Sequence, residues 1–191
     1  MINRRLKLVC FSDKRLGDLS HILANIPKNS YFIFRQYHLP DQEREETARS
    51  LLSIAKKYKI KFIVAQDINL ALKIKADGVH FSDNKKIPWL FWQRKSFKKD
   101  FILSYSCHNI RSAIFAKRSN IDLVFISPIF TTQSHDKTKL LGKIGYLKAL
   151  YYNKEIMPLG GINDKNINFI NKTKTPGFGA IDYFIMKMDS S

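Results

Sequence analysis

Cysteine is scarce in this 191-residue sequence. Only Cys10 and Cys107 occur, each inside an apolar stretch, which excludes a disulfide framework and reads as two buried free thiols. No Cys/His set has the spacing of a zinc site. Long apolar runs are also missing, and nothing approaches the ~18 residues of a membrane span. The basic start, Met1 to Arg5, leads into an apolar run that Ser12-Asp13 interrupts, too short for a signal-peptide core. The expectation is a cytoplasmic protein with no membrane partner. Linkers and low-complexity tracts are absent as well, so residues 1–191 are expected to form a single domain.

Acidic residues are few: 16 Asp and Glu stand against 33 Lys and Arg, a formal charge of +17. The excess is mostly lysine scattered through helices and turns, as at Lys56, Lys57, Lys59 and Lys61, and at Lys95, Lys98 and Lys99. Such clusters read as solvated faces. Nucleic-acid binding through this exterior is the least favoured alternative, because no zinc-finger spacing or RNP-like motif accompanies the charge.

What the sequence does have is eight short, β-rich apolar runs. They are Leu6–Phe11, Tyr31–Arg35, Lys61–Ala65, Gly78–Phe81, Phe101–Tyr105, Leu123–Ile126, Ile156–Leu159 and Phe178–Phe184. Most are near-continuous in hydrophobicity, the pattern of strands buried on both faces in a parallel sheet. Helical periodicity lies between them. Asp41 to Lys57 puts Ala48, Leu51, Leu52 and Ala55 on one face, with acids early and lysines late, as the helix dipole favours. Ile68 to Lys75 reads as a short helix, Asn109 as the cap of Ile110 to Arg118, and Asn163 or Asp164 as the cap of a helix through Ile170. Alternation of this kind indicates an α/β fold, either a closed barrel or a doubly wound sheet.

Polar and glycine residues at the strand ends choose between them. Arg35, Gln66-Asp67, Ser82-Asp83, Ser106 to His108, Ser127-Pro128, Gly160-Gly161 and Asp182 each lie near a C-terminal strand end. In a (β/α)8 TIM barrel these positions meet at one mouth.

Several of these residues also resemble a known family. Ala76-Asp77-Gly78-Val79-His80 is similar to the strand-four signature of the thiamine phosphate synthase/TenI family, and Ser127-Pro128-Ile129-Phe130-Thr131-Thr132 resembles its strand-six segment. Gly160-Gly161-Ile162 matches the glycine pair after strand seven, Ser106-Cys107-His108 resembles the motif after strand five, and Gln66-Asp67 stands in place of an Asn-Asp pair. The matches keep their order from Leu6 to Phe184.

The resemblance implies a transferase of thiamine biosynthesis that joins hydroxymethylpyrimidine diphosphate to thiazole phosphate. Phosphorylated small molecules would be its substrates, and magnesium would help pyrophosphate leave. It places Arg35 on the diphosphate, Asp67 on Mg2+, Gln66 beside it, and Ser106 as a catalytic residue in the pyrimidine–pyrophosphate region. Thr132 and Ser134 would sit near the thiazole and the leaving group. Gly160, Gly161, Ile181 and Asp182 would form the phosphate cup.

The sequence departs from the family at Tyr37, where a Lys is usual, and at Gln66. It departs again near Asn84 or Lys85, where the second metal carboxylate is expected, at His135, which replaces a Lys, and at Asp182, where a small hydroxyl is usual. These changes imply impaired diphosphate chemistry, with His135 as a candidate acid/base. The alternative is a divergent TenI-like binding protein or isomerase without that chemistry. His80 reads either as facing the mouth or as structural, and His108 as a partner for a nearby carboxylate. Trp89 and Trp92, with Leu90 and Phe91, read as barrel packing or as a homo-oligomer contact.

Overall fold

The computed structural model describes residues 6–83, 87–88, 100–132 and 140–188. Among the described residues there are eight strands and seven α-helices, with a helix after every strand except the fourth. The strands are β1 (Lys7–Phe11), β2 (Tyr31–Phe34), β3 (Lys61–Ala65), β4 (Gly78–Ser82), β5 (Ile102–Cys107), β6 (Leu123–Ile126), β7 (Ile156–Pro158) and β8 (Gly177–Ala180). The helices are α1 (Leu19–Asn25), α2 (Asp41–Lys57), α3 (Ile68–Lys73), α4 (Ile110–Arg118), α5 (Gly142–Tyr152), α6 (Ile167–Lys172) and α7 (Asp182–Met188). All strand pairs are parallel, in the order β7-β6-β5-β4-β3-β2-β1-β8. A bridge between Leu159 and Gly179 closes the seam from β7 to β8. The fold is a (β/α)8 barrel whose last seam is narrow. Pro158, which has no backbone N–H, ends the short β7 at that seam.

The near-continuous hydrophobicity has a direct cause, because each strand is buried on both faces. Alternate residues enter two separate cores. Val9, Phe11, Ile33, Ile63, Ala65, Leu123, Phe125 and Met157 fill the barrel interior. Their neighbours Cys10, Phe32, Phe34, Phe62, Val64, Val124 and Ile126 face the helical layer. Cys10 and Cys107 are buried free thiols, and burial pushes both far above the usual thiol value.

The alternation turns polar in two strands. His80, Ser104 and Ser106 are buried, at positions where β4 and β5 carry Val79, Phe81, Leu103 and Tyr105 on the helix-facing side.

Helix α2 spans the residues its pattern predicts, with Asp41 and Glu43 in the first turn and Lys56 and Lys57 in the last. Asn109 caps α4 as expected, its side chain accepting from the Ser112 N–H. Two expectations need correction. The run from Phe178 to Phe184 is two elements, since β8 stops at Ala180 and Asp182 opens α7. A short apolar run has no period that separates strand from helix, and here Tyr183 and Phe184 pack into the helical layer. The helix read from Asn163 or Asp164 begins at Ile167, with Asn166 at its N-cap position. Among the described residues no helix is long and apolar enough to cross a membrane. Trp89 to Trp92, Lys95, Lys98 and Lys99 lie outside the described residues.

Candidate functional site

Among the hollows that the strand ends build at the barrel mouth, two adjoin. One is a cleft of roughly 410 Å³ lined by residues that include Arg35, Tyr37, Gln66, His80, Ser106 and His108. The other is smaller and includes Arg15, Thr132, Gly160, Gly161, Ile181 and Asp182. Phe11, Arg35, Ser127 and Leu159 belong to both. Of the expected site residues, the structure therefore brings Arg35, Gln66 and Ser106 to one hollow. Thr132, Gly160, Gly161, Ile181 and Asp182 come to the other. Ser134, His135, Asn84 and Lys85 lie outside the described residues.

The glycine turn is shaped by close approach. Gly160 and Gly161 have φ of 94° and 68°, a region that favours glycine. A Cβ on Gly161 would lie 2.3 Å from the Thr131 carbonyl oxygen. Phe130 N–H donates to the Gly160 carbonyl at 3.2 Å, and Asn166 Nδ2 donates to that of Gly161 at 2.7 Å. The turn is thus tied both to the strand-six loop and to the start of α6.

Asp182 does not stand alone against an incoming anion. Its Oδ1 accepts from Arg15 Nη1 at 2.6 Å. Arg15 Nε also donates to Asp13 Oδ1 at 2.8 Å, and Asp13 Oδ2 receives Arg35 Nη2 at 3.2 Å. Burial alone would raise the Asp13 carboxyl, but Arg15, with help from Arg35, holds it below the usual range. Two carboxylates and two guanidinium groups alternate along the ends of β8, β1 and β2. Arg35 is further anchored by Nε donating to the Ser12 carbonyl at 2.8 Å.

Asp67 does not stand open to a metal. Its Oδ1 caps α3 by accepting from the Leu70 N–H at 2.9 Å, and its Oδ2 pairs with Arg44 Nη1 at 2.8 Å. Arg44 is buried; its Nη2 donates to the Ala65 carbonyl at 2.9 Å. Both carboxylate oxygens are engaged, one by a guanidinium that already supplies the counter-charge. Among the described residues no group of three or more His, Cys, Asp or Glu side chains comes together as a metal site. The described residues therefore do not fit the magnesium site expected at Asp67.

Gln66 sits in the left-handed region, with φ of 63°. That region costs most non-glycine residues roughly 1–2 kcal/mol. Its Nε2 donates to Ser82 Oγ at 3.3 Å. His80 is structural and cleft-lining at once: Nδ1 lies 2.7 Å from Ser104 Oγ and Nε2 3.1 Å from Ser106 Oγ.

Asp13, Arg15 and Arg44 have no role in the sequence reading, whereas the carboxylate partner expected for His108 is Asp83. Asp13 and Arg15 carried a usable signal, because they follow β1 immediately. Arg44 carried another, lying four residues before Ala48 on the buried face of α2.

Comparison with known proteins gives a consistent picture. A family model described as thiamine monophosphate synthase matches residues 8–182. A putative thiamine-phosphate synthase 2 from Aquifex aeolicus is 30% identical over 153 residues, covering 79% of this chain and 80% of that one. A thiamine-phosphate synthase from Clostridium tetani is 29% identical over 157 residues, covering 81% and 74%. The solved thiamine phosphate pyrophosphorylase from Pyrococcus furiosus shares the fold, with a TM-score of 0.78 at 23% identity over 95% of this chain and 91% of that one.

Proposed function

The chain belongs to the thiamine monophosphate synthase family, and from that premise we propose that it joins hydroxymethylpyrimidine diphosphate to thiazole phosphate in the cytoplasm, releasing pyrophosphate. The observation that carries this reading is the pair of adjoining hollows that share Arg35. A reaction between two substrates needs two subsites that meet where the bond forms. The wall common to both is Phe11, Leu159 and Ser127 with one guanidinium. Apolar walls keep water from capturing a reactive pyrimidine cation before the thiazole nitrogen does.

Within this reading, Arg35 contacts the diphosphate and Ser106 lines the pyrimidine. The Gly160-Gly161 turn and the Ile181 backbone approach the thiazole phosphate, with Thr132 between the two. No step is assigned to a metal at Asp67. Turnover is weak, because Tyr37 brings no cation to the diphosphate and the Arg35 charge is partly offset by Asp13.

The test is direct. Purified protein is supplied with both substrates, and thiamine phosphate and pyrophosphate are quantified. Slow formation of both in equal amounts, lost in Arg35→Ala and raised in Tyr37→Lys, is expected. Absence of product at all pH values and metal concentrations would overturn the proposal.

A further inference from the structure

Two imidazoles line the larger cleft, His80 and His108, and they are held in different ways. His80 has both ring nitrogens on serine hydroxyls. Burial, with the Arg35 charge adding to it, pushes its pKa down to about 3. It is a neutral group at any physiological pH.

His108 is gripped by an anion instead. Its backbone N–H donates to Asp83 Oδ2 at 2.8 Å, and its Nδ1 makes a short contact with Asp83 Oδ1. Burial alone would raise the Asp83 carboxyl, but hydrogen bonds from His108 and Ser112 hold it below its usual value. The Asp83 side chain is 11% exposed and that of His108 24%, so the carboxylate is sheltered while the ring reaches the cleft. A carboxylate on Nδ1 fixes the ring and its tautomer. Nε2 is then the ring atom that meets a ligand.

We propose that His108, positioned by Asp83, is the general acid that protonates the departing diphosphate. The inference rests on the transferase reading of the cleft. Arg35 lines the same cleft, but a guanidinium offsets charge without giving up a proton. Asp67, engaged by Arg44, adds no further help to the leaving group.

The C–O bond between the pyrimidine methylene and the ester oxygen of the diphosphate breaks, and its electron pair stays on that oxygen. His108 Nε2 passes its proton to the diphosphate and becomes neutral, with Nδ1–H still on Asp83. The thiazole nitrogen lone pair then forms the C–N bond to the methylene, and His108 regains a proton from water. Among the described residues, the titratable and charged groups around His108 are His80 of β4, Asp83 just after it, Cys107 at the end of β5, and Arg35 and Tyr37 beyond the end of β2. Tyr105 of β5 is also there, and burial with the Asp83 charge pushes its hydroxyl up to about 12.

The experiment compares the unmodified protein with His108→Gln and Asp83→Asn. Turnover is followed from roughly pH 5.5 to 8.5, the span over which histidines change charge, with and without EDTA. Calorimetry with inorganic pyrophosphate, in buffers of different ionisation enthalpy, counts the protons taken up on binding. The unmodified protein should lose turnover as pH rises and should take up a proton with pyrophosphate. His108→Gln should lose about 100-fold or more in kcat, with KM changed less than about threefold, a flat pH profile and no proton uptake. Asp83→Asn should fall between the two in kcat and in proton uptake with pyrophosphate, and it carries the test if His108→Gln does not fold.

Unchanged turnover and pH profile in His108→Gln would overturn the proposal, as would pyrophosphate binding without His108-dependent proton uptake or no pyrophosphate binding at all. If the unmodified protein makes no product yet takes up a proton with pyrophosphate through His108, the transferase reading fails. Protonation of a bound diphosphate by the dyad then stands.

Discussion

Replacing Asp182 with serine should make the hollow beside Gly160 and Gly161 a tighter phosphate site. In the intact protein Arg15 bridges Asp182 and Asp13 at 2.6 and 2.8 Å, and Asp13 reaches on to Arg35. The two guanidinium charges facing the hollow are thus cancelled by two carboxylates. Asp182→Ser removes one of those carboxylates and leaves a net cation. At ~6 Å and an effective dielectric of ~40, a pair of unit charges interacts by about 1.4 kcal/mol, roughly tenfold in affinity per phosphate charge. Arg15 and Asp182 are each about a quarter exposed, so solvent and salt trim that value. The expected gain for inorganic phosphate is about 10- to 50-fold at low salt, shrinking several-fold at about 0.15 M. Calorimetric titration of the unmodified protein, Asp182→Ser and Asp182→Asn would measure it. The asparagine variant should gain similarly, since it keeps the shape and removes the charge. Equal or weaker phosphate binding in both variants would refute this reasoning and show that Asp182 serves to aim Arg15 at the phosphate.

Three further outcomes follow from the same geometry. Gly161→Ala forces a Cβ to 2.3 Å from the Thr131 carbonyl oxygen at a φ of +68° and should cost about 2–4 kcal/mol; a loss below about 0.5 kcal/mol in denaturant titration would show that the turn tolerates a side chain. Asp67→Ala removes both the α3 cap and the partner of buried Arg44 and should lower stability by about 2–4 kcal/mol. Asp67→Asn should lower it less, and an unchanged melting temperature in both variants would contradict the structural role given to this carboxylate. His80, with a folded pKa of about 3 against 6.5, binds fewer protons folded than unfolded. Its contribution is complete above about pH 6.5 and is lost as pH falls toward 3, at up to about 1.4 kcal/mol per unit. Melting curves between these limits should therefore be flatter for His80→Gln, and identical pH dependence in the two proteins would rule the assignment out.

The apolar pattern along the chain was enough to predict the order and nature of the barrel. A strand buried on both faces has to be apolar at nearly every position, so Lys61–Ala65 and Leu123–Ile126 were legible to the residue. Helix α2 was legible because its buried face recurs with the helical period and its terminal charges suit the dipole. The boundary at Ala180 was not legible: Phe178 and Phe184 both go into the outer core, one from a strand and one from a helix, and hydrophobicity reports only the burial they share. The strand-end rule located Arg35, Gln66, Ser106, Gly160, Gly161 and Asp182 at one mouth, since parallel strands in a barrel end on the same side.

What those residues touch depends on how the barrel closes. That Asp182 meets Arg15 from 167 positions away, that Asp67 is claimed by Arg44, and that Asp83 holds His108 are consequences of strand register and helix placement. An ion pair depends on side-chain atoms coming within about 4 Å. Barrel closure brings distant segments that close together, and the pattern of apolar residues that drives closure carries no record of which charges will face each other once the barrel is formed.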